Sequence, residues 1–171
     1  MKIVLIGYRG TGKSTVAGLI ANALGWSVVS TDKEIIRRAN LSIPSIVQQF
    51  GWDHFRSIET EVCQSLAPKD HVVVDTGGGV ITKSENLQAL KPNAQVFWLT
   101  ANVPTIMGRI KEDTQRPSLT EGKTFVQEIE EVLEQRTPLY QSAADFTIGT
   151  DHRSAREIAE EILNRFSETV S

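Results

Sequence analysis

One eight-residue stretch limits what this chain can fold into. Gly7-Tyr8-Arg9-Gly10-Thr11-Gly12-Lys13-Ser14 fits the pattern G-x-x-x-x-G-K-[ST] at every fixed position. Ile3 to Ile6 form a short apolar run just before it, as expected of a buried parallel strand. After it, Val16, Leu19, Ile20, Ala23 and Leu24 recur at helical spacing. A glycine-rich turn between a strand and a helix start lets successive backbone N–H groups close on a phosphate, and the helix dipole adds its positive end there. Gly7, Gly10, Thr11, Gly12, Lys13, Ser14 and Thr15 are therefore expected to hold a nucleotide. In that arrangement Lys13 reaches the β- and γ-phosphates and the Ser14 hydroxyl ligates Mg²⁺. The competing reading is a glycine-rich turn that only joins strand to helix, and it leaves Lys13-Ser14 without a role.

The rest of the chain alternates strands and helices. Ser27–Ser30 reads as a strand ending at Thr31-Asp32, followed by helical sequence from Lys33 to Asn40. A longer helical stretch runs from about Ile43 to Leu66, broken near Gly51 and ended by Pro68. Val72-Val73-Val74 is a buried strand closed by Asp75-Thr76-Gly77-Gly78-Gly79, and a helix covers about Ser84 to Leu90. Val96 to Leu99 is the next strand, followed by a helix containing Ile106, Arg109 and Ile110. Residues 111–123 are polar, with Arg116-Pro117 and Gly122, and read as a mobile loop. Thr124 and Gln127 make a capping box for a helix that Thr137-Pro138 should end. Phe146-Thr147-Ile148 is a short strand, and Ser154 with Glu157 caps a last helix. Such alternation implies right-handed βαβ units, giving an α/β fold with a mostly parallel sheet and helices on both faces.

At 171 residues the chain fits one domain, residues 1–171, without repeats or linkers. A net charge of −3 argues against a nucleic-acid binder. No apolar run approaches the ~20 residues needed to cross a bilayer. The first residues are strand-like rather than a signal sequence, and one cysteine, Cys63, rules out an intramolecular disulfide framework. A cytoplasmic protein is expected, probed by neither membrane nor nucleic acid. No N-K-x-D stretch is present to read a guanine base, and the chain is short for a motor. What remains is a compact small-molecule kinase.

At this point the chain resembles a known family, the shikimate kinases, over nearly its full length. The resemblance rests on the phosphate loop, Ser30-Thr31-Asp32, Phe55-Arg56-x-x-Glu59, Thr76-Gly77-Gly78-Gly79, Arg116-Pro117 and Arg136-x-Pro138-Leu139-Tyr140. It implies a five-stranded parallel sheet of order 2-3-1-4-5, a substrate-binding region at about 32–62 and a lid at about 111–123. The implied reaction moves the ATP γ-phosphoryl group, with Mg²⁺, to the 3-hydroxyl of shikimate in aromatic amino-acid biosynthesis, and the enzyme is expected to be a monomer.

By this resemblance Arg56 and Arg136 bind the acceptor carboxylate, a task suited to a planar guanidinium. Taken without the resemblance, each reads first as a solvated helix arginine snorkelling over apolar neighbours. Asp32 matches the aspartate that binds a ring hydroxyl, and its alternative is a helix cap. Phe55 lies near the acceptor, Gly77, Gly78 and Gly79 offer unobstructed backbone N–H groups, and Glu59 orients an arginine through an ion pair. Arg116 folds over the phosphates, while Arg109 and Arg153 belong to the adenine side. Lys13, Asp32 and Arg116 are thus the expected catalytic residues.

In two places the chain departs from the family. Ser30 stands where an aspartate is usual, two positions before Asp32, and that carboxylate helps hold Mg²⁺. Asp75, placed like a Walker-B aspartate, is expected to take over the role alongside Ser14; its alternative is a helix- or turn-capping aspartate. Ile36 stands near where the family carries a glutamate. Two other readings stay open: a gluconate-kinase-like enzyme, and a catalytically silent nucleotide-binding module.

Overall fold

The computed structural model describes residues 1–110 and 124–170. Five strands form one sheet in the order β2-β3-β1-β4-β5, and every pairing is parallel. They are β1 (Lys2–Ile6), β2 (Ser27–Ser30), β3 (Val72–Asp75), β4 (Ala94–Thr100) and β5 (Phe146–Gly149). The helices are α1 (Lys13–Leu24), α2 (Thr31–Ala39), α3 (Ile43–Leu66), α4 (Ser84–Leu90), α5 (Val103–Ile110), α6 (Phe125–Ala143) and α7 (Ala155–Val170).

The sheet is apolar on both faces because side chains alternate along each strand. Val4, Ile6, Val72, Val74 and Val96 face a core completed by Ile35, Ile46, Phe55, Leu66, Leu90 and Tyr140, from α2, α3, α4 and α6. Ile3, Leu5, Val73, Phe97 and Leu99 face the other way, onto Val16 and Ile20 of α1 and Ile158 and Ile162 of α7. A third cluster joins Tyr8 to Ile106, Ile110, Ile129 and Val132, tying α5 and α6 to the loop after β1. The carboxyl ends of β1, β2 and β3 thus open side by side, where an α/β sheet places ligands.

The expected strand order and the helices on both faces are present. So is the break in α3, where Gly51 takes φ 81 and ψ 170. Thr124 and Gln127 cap α6 reciprocally, as Ser154 and Glu157 do for α7.

Two boundaries differ from expectation. Thr31 and Asp32 belong to the first turn of α2, and Ser30 is the N-cap, its hydroxyl accepting from the Lys33 N–H at 3.4 Å. Ser, Thr and Asp are all good caps, so three consecutive candidates blurred the boundary. The second difference is Pro138, which does not end α6: the helix runs on to Ala143. Pro138 cannot donate a hydrogen bond, yet the turn after it is fixed by packing. Tyr140 and Ala143 are buried there, and the Tyr140 ring stacks on Trp98 at 5.7 Å.

Candidate active site

The loop between β1 and α1 closes on itself in the shape of an anion cradle. Gly7 has φ 143, and a Cβ there would lie 2.4 Å from the Leu99 carbonyl oxygen, so only glycine fits. Gly12 caps α1 in the left-handed region, φ 92, leaving the first amides of the helix facing the cleft. The Lys13 ammonium curls back over the loop and donates to the Gly7 and Tyr8 carbonyls, at 2.8 and 2.9 Å. Ser14 donates to Asp75 Oδ2 at 2.6 Å. Asp75 is buried at the end of β3, and the strand register places it directly beside Ser30 on β2. Gly10, Thr11, Thr15, Arg109 and Arg153 line the same open cleft of about 860 Å³.

Arg109 and Arg153 are held by backbone groups rather than loose in solvent. Arg109 donates to the Gly10 carbonyl at 3.1 Å and to the Thr150 hydroxyl and carbonyl, each at 3.0 Å. It thereby clips the phosphate loop to the segment after β5. Arg153 donates to the Gly149 carbonyl at 3.0 Å and pairs with Glu161 at 2.7 Å.

Beside this cleft lies a second, much tighter pocket. Asp32, Phe55, Arg56, Glu59, Gly77, Gly78, Gly79 and Arg136 all line it, so three helices and one loop deliver every expected acceptor-side residue to a single place. Arg56 Nη1 donates to Glu59 Oε2 at 2.6 Å, and its guanidinium lies over the Phe55 and Trp52 rings at 5.1 and 5.5 Å. Glu59 is fully buried. Burial pushes its carboxyl above the usual carboxylate range, while Arg56, then Arg136 and Lys83, pull it back. Above that raised value it is the ionised partner of Arg56, and below it the carboxyl holds its proton longer than a free one would. Its other oxygen, Oε1, is buried without a hydrogen-bond partner among the described residues.

The triple glycine has a steric reason. A Cβ on Gly77 would meet Asp32 Oδ1 at 2.7 Å, and one on Gly79 would meet Arg56 Nη2 at 2.0 Å. Thr31 from α2 accepts the Gly77 N–H at 2.9 Å, so the first turn of α2 supports the loop as well as carrying Asp32.

Arg116 and the expected lid lie outside the described residues. Ile36 is on the outer face of α2, 40% exposed and away from both clefts, so the missing glutamate does not touch the site. Cys63 is buried and its thiol pushed up to about 12 by burial, in keeping with a packed apolar role.

Sequence reasoning gave two residues no role. Tyr140 donates from its hydroxyl to the Gly78 carbonyl, joining α6 to the triple-glycine loop, and burial pushes that hydroxyl up to about 12. Its spacing from Arg136 could have flagged it, since i and i+4 share a helix face. Arg9, in a variable loop position, pairs at 3.3 Å with buried Glu128 of α6. No local pattern announces that contact.

A family model described as shikimate kinase matches residues 9–167. Among curated relatives, a shikimate kinase of Thermodesulfovibrio yellowstonii is 39% identical, over 96% of this chain and 94% of its own. A shikimate kinase 2 of Photorhabdus laumondii is 40% identical, over 91% of this chain and 90% of its own. Among solved structures, shikimate kinase from Acinetobacter baumannii in complex with shikimate superposes with a TM-score of 0.93 at 34% identity, covering 98% of this chain and 93% of its own. The enzyme from Aquifex aeolicus superposes at 0.82 with 30% identity, covering 99% and 98%. The sequence pattern, the strand order and these likenesses agree: the chain belongs to the shikimate kinase family.

Proposed function

We propose that the two clefts are the nucleotide and acceptor halves of one phosphoryl-transfer site, worked by the residues named above. A shikimate kinase moves a phosphoryl group from ATP to a hydroxyl of shikimate. In this chain the receiving group is the 3-hydroxyl, and Asp32 holds it. The observation that carries the reading is the convergence of Arg56, Arg136, Asp32 and the triple glycine on one pocket, with Asp32 and Gly78 also lining the phosphate cleft. A small acid with ring hydroxyls fits that set of groups. Its carboxylate takes the two guanidinium groups, each able to form charge-assisted bonds. Its ring rests near Phe55 and Trp52, and one hydroxyl meets Asp32 at the boundary with the phosphates.

Phosphoryl transfer is mostly positioning and charge stabilisation, so Asp32 need not be a strong base. It orients the acceptor oxygen and takes up the proton as the new bond forms. Lys13 moves from the loop carbonyls to the phosphate oxygens when nucleotide enters, exchanging two neutral acceptors for a charged one.

The residues present also fit Mg²⁺. Ser14 Oγ and Asp75 Oδ2 are hard oxygen donors 2.6 Å apart at the mouth of the cradle. Among the described residues no group of three or more His, Cys, Asp or Glu could hold a metal by itself. That suits an ion held largely by phosphate oxygens and water, through one hydroxyl and one supporting carboxylate. Bound Mg²⁺ would supply neutralisation of the phosphate charge. Asp75 stands in for the carboxylate absent at Ser30.

The same reading makes the protein a monomer acting on small molecules in the cytoplasm, with residues 1–171 as one kinase unit. No described helix is long and apolar enough to cross a membrane. A coupled ADP-release assay tests the central point. Turnover should depend on shikimate and not on gluconate. Nucleotide binding with no turnover on shikimate would instead mark a silent module, and turnover on gluconate a different kinase.

A further inference from the structure

Among the described residues, three line both clefts: Arg9, Asp32 and Gly78. Arg9 is the one cation of the three. We infer that Arg9 is a further catalytic residue, whose guanidinium contacts the phosphoryl group as it crosses between the clefts, and that Glu128 is the positioning residue that aims it. The inference rests on the two-cleft reading above.

The arrangement around Arg9 is costly unless it serves a ligand. The side chain is only 13% exposed and Glu128 only 5%. The hydrogen bond from Arg9 Nη2 to Glu128 Oε1 is long at 3.3 Å. The Arg9 Nε is buried with no partner among the described residues. Burying a guanidinium with one loose ion pair and an unfilled donor stabilises little, and an apolar side chain would fill the space at least as well. The rings of Phe125 and Tyr8 lie 5.5 and 5.9 Å from the guanidinium carbon, within cation–π range. What results is a charge fixed at the partition with donors left over, the condition under which a cation stabilises charge developing in a transition state.

The step balances without any further reagent. The bond from the γ-phosphorus to its bridging oxygen breaks, with both electrons staying on ADP. The acceptor oxygen bonds to phosphorus, and its proton passes to Asp32 and then to solvent. Arg9 donates hydrogen bonds to the equatorial oxygens and exchanges no proton.

The test uses the full chain with Arg9→Met, Arg9→Lys, Glu128→Gln and the Arg9→Met/Glu128→Gln double variant. Wild-type turnover on shikimate is measured first; its absence sinks the two-cleft reading itself. Arg9→Met should lower kcat by about 10- to 100-fold, the loss of one charge-assisted contact. ADP affinity and the shikimate KM should stay within about threefold, since the contact exists only in the transition state. Glu128→Gln should lower kcat less, and should add nothing in the double variant, because both changes act through one guanidinium. An unchanged kcat in Arg9→Met, or a loss of kcat and ADP binding together, overturns the inference in favour of a merely structural tie. Should Arg9→Met fail to fold, Arg9→Lys decides. It keeps the charge without the planar fork and should lose about fivefold or more in kcat with ADP binding intact. Wild-type turnover in Arg9→Lys overturns the proposal.

Discussion

Replacing Gly79 with alanine adds one methyl group at the point where the acceptor pocket is tightest. Gly79 has φ −93 and ψ 3, a conformation open to any residue, so the backbone accepts the change. The new Cβ would lie 2.0 Å from Arg56 Nη2 and 2.4 Å from both Cζ and Nη1. Carbon and nitrogen settle near 3.5 Å, so the guanidinium must retreat by about 1.5 Å. Only the far end of a long side chain moves. The cost in stability should stay under about 1 kcal/mol, offset in part by the lost flexibility of the unfolded chain. For a chain of this size that corresponds to a Tm within about 3 °C of wild type. The functional cost is larger, because Arg56 can no longer meet a carboxylate while keeping Glu59. Losing a charge-assisted contact costs about 1.5–3 kcal/mol, or roughly a 10- to 100-fold rise in the shikimate KM. Gly79 does not line the nucleotide cleft, so ADP affinity should be unchanged. Steady-state kinetics against shikimate, ADP titration and a melting curve make the assay. A normal shikimate KM in a folded Gly79→Ala protein would refute the placement of Arg56 on the acceptor. Gly77→Ala is the matched control: its Cβ would press on Asp32 Oδ1 at 2.7 Å and should lower kcat instead.

Asp75→Asn should raise the Mg²⁺ concentration for half-maximal turnover by about tenfold, as loss of a supporting carboxylate does; an unchanged Mg²⁺ titration counts against its metal role. Glu59→Gln tests the buried carboxylate by pH. Since burial raises the Glu59 carboxyl above 4.5, the native state holds a proton there that the unfolded chain has released, so wild-type stability falls as pH rises from 4.5 through the folded value. Melting curves should therefore show wild type losing ground to Glu59→Gln over that window, and the opposite slope would mean that Arg56 dominates. The variant should at the same time raise the shikimate KM, since Arg56 loses its orienting partner. Cys63, with its thiol pushed up to about 12, should react with a thiol reagent at pH 8 only when the protein opens; rapid labelling of the native protein would contradict its burial.

What the sequence disclosed depended on how far its contacts reach along the chain. The phosphate cradle was readable because its parts are neighbours: strand, loop and helix follow one another, and Ser14 and Lys13 sit at fixed offsets. The helix caps at Thr124 and Ser154 were readable for the same reason. The acceptor pocket was not readable from residues alone. Arg56 stands on α3 and Arg136 on α6, and each taken singly has the pattern of a solvated helix arginine. Only the family resemblance brought them together, and the shared pocket is what the structure adds. The contact between Arg9 and Glu128 spans 119 positions, and that between Tyr140 and Gly78 spans 62. Neither leaves a periodic trace. Pro138 misled because the rule against interior proline is local, whereas the burial of Tyr140 and Ala143 that overrides it is tertiary.

The proposed metal role of Asp75 would let the site keep its charge while the sequence moves it away from Ser30. Ser30 and Asp75 are register partners on adjacent parallel strands, so a carboxylate shifted from one to the other travels about 4.8 Å. Both positions are at strand ends that face the same cleft. Ser30 itself caps α2, a task serine performs as well as aspartate. Asp75 accepts from the Ser14 hydroxyl at 2.6 Å, which is where the proposed metal role would place a carboxylate. A loss at one position of a motif therefore carries little weight until the neighbouring strand has been read, and a raised Mg²⁺ requirement in Asp75→Asn would remove the one feature that favours a silent module.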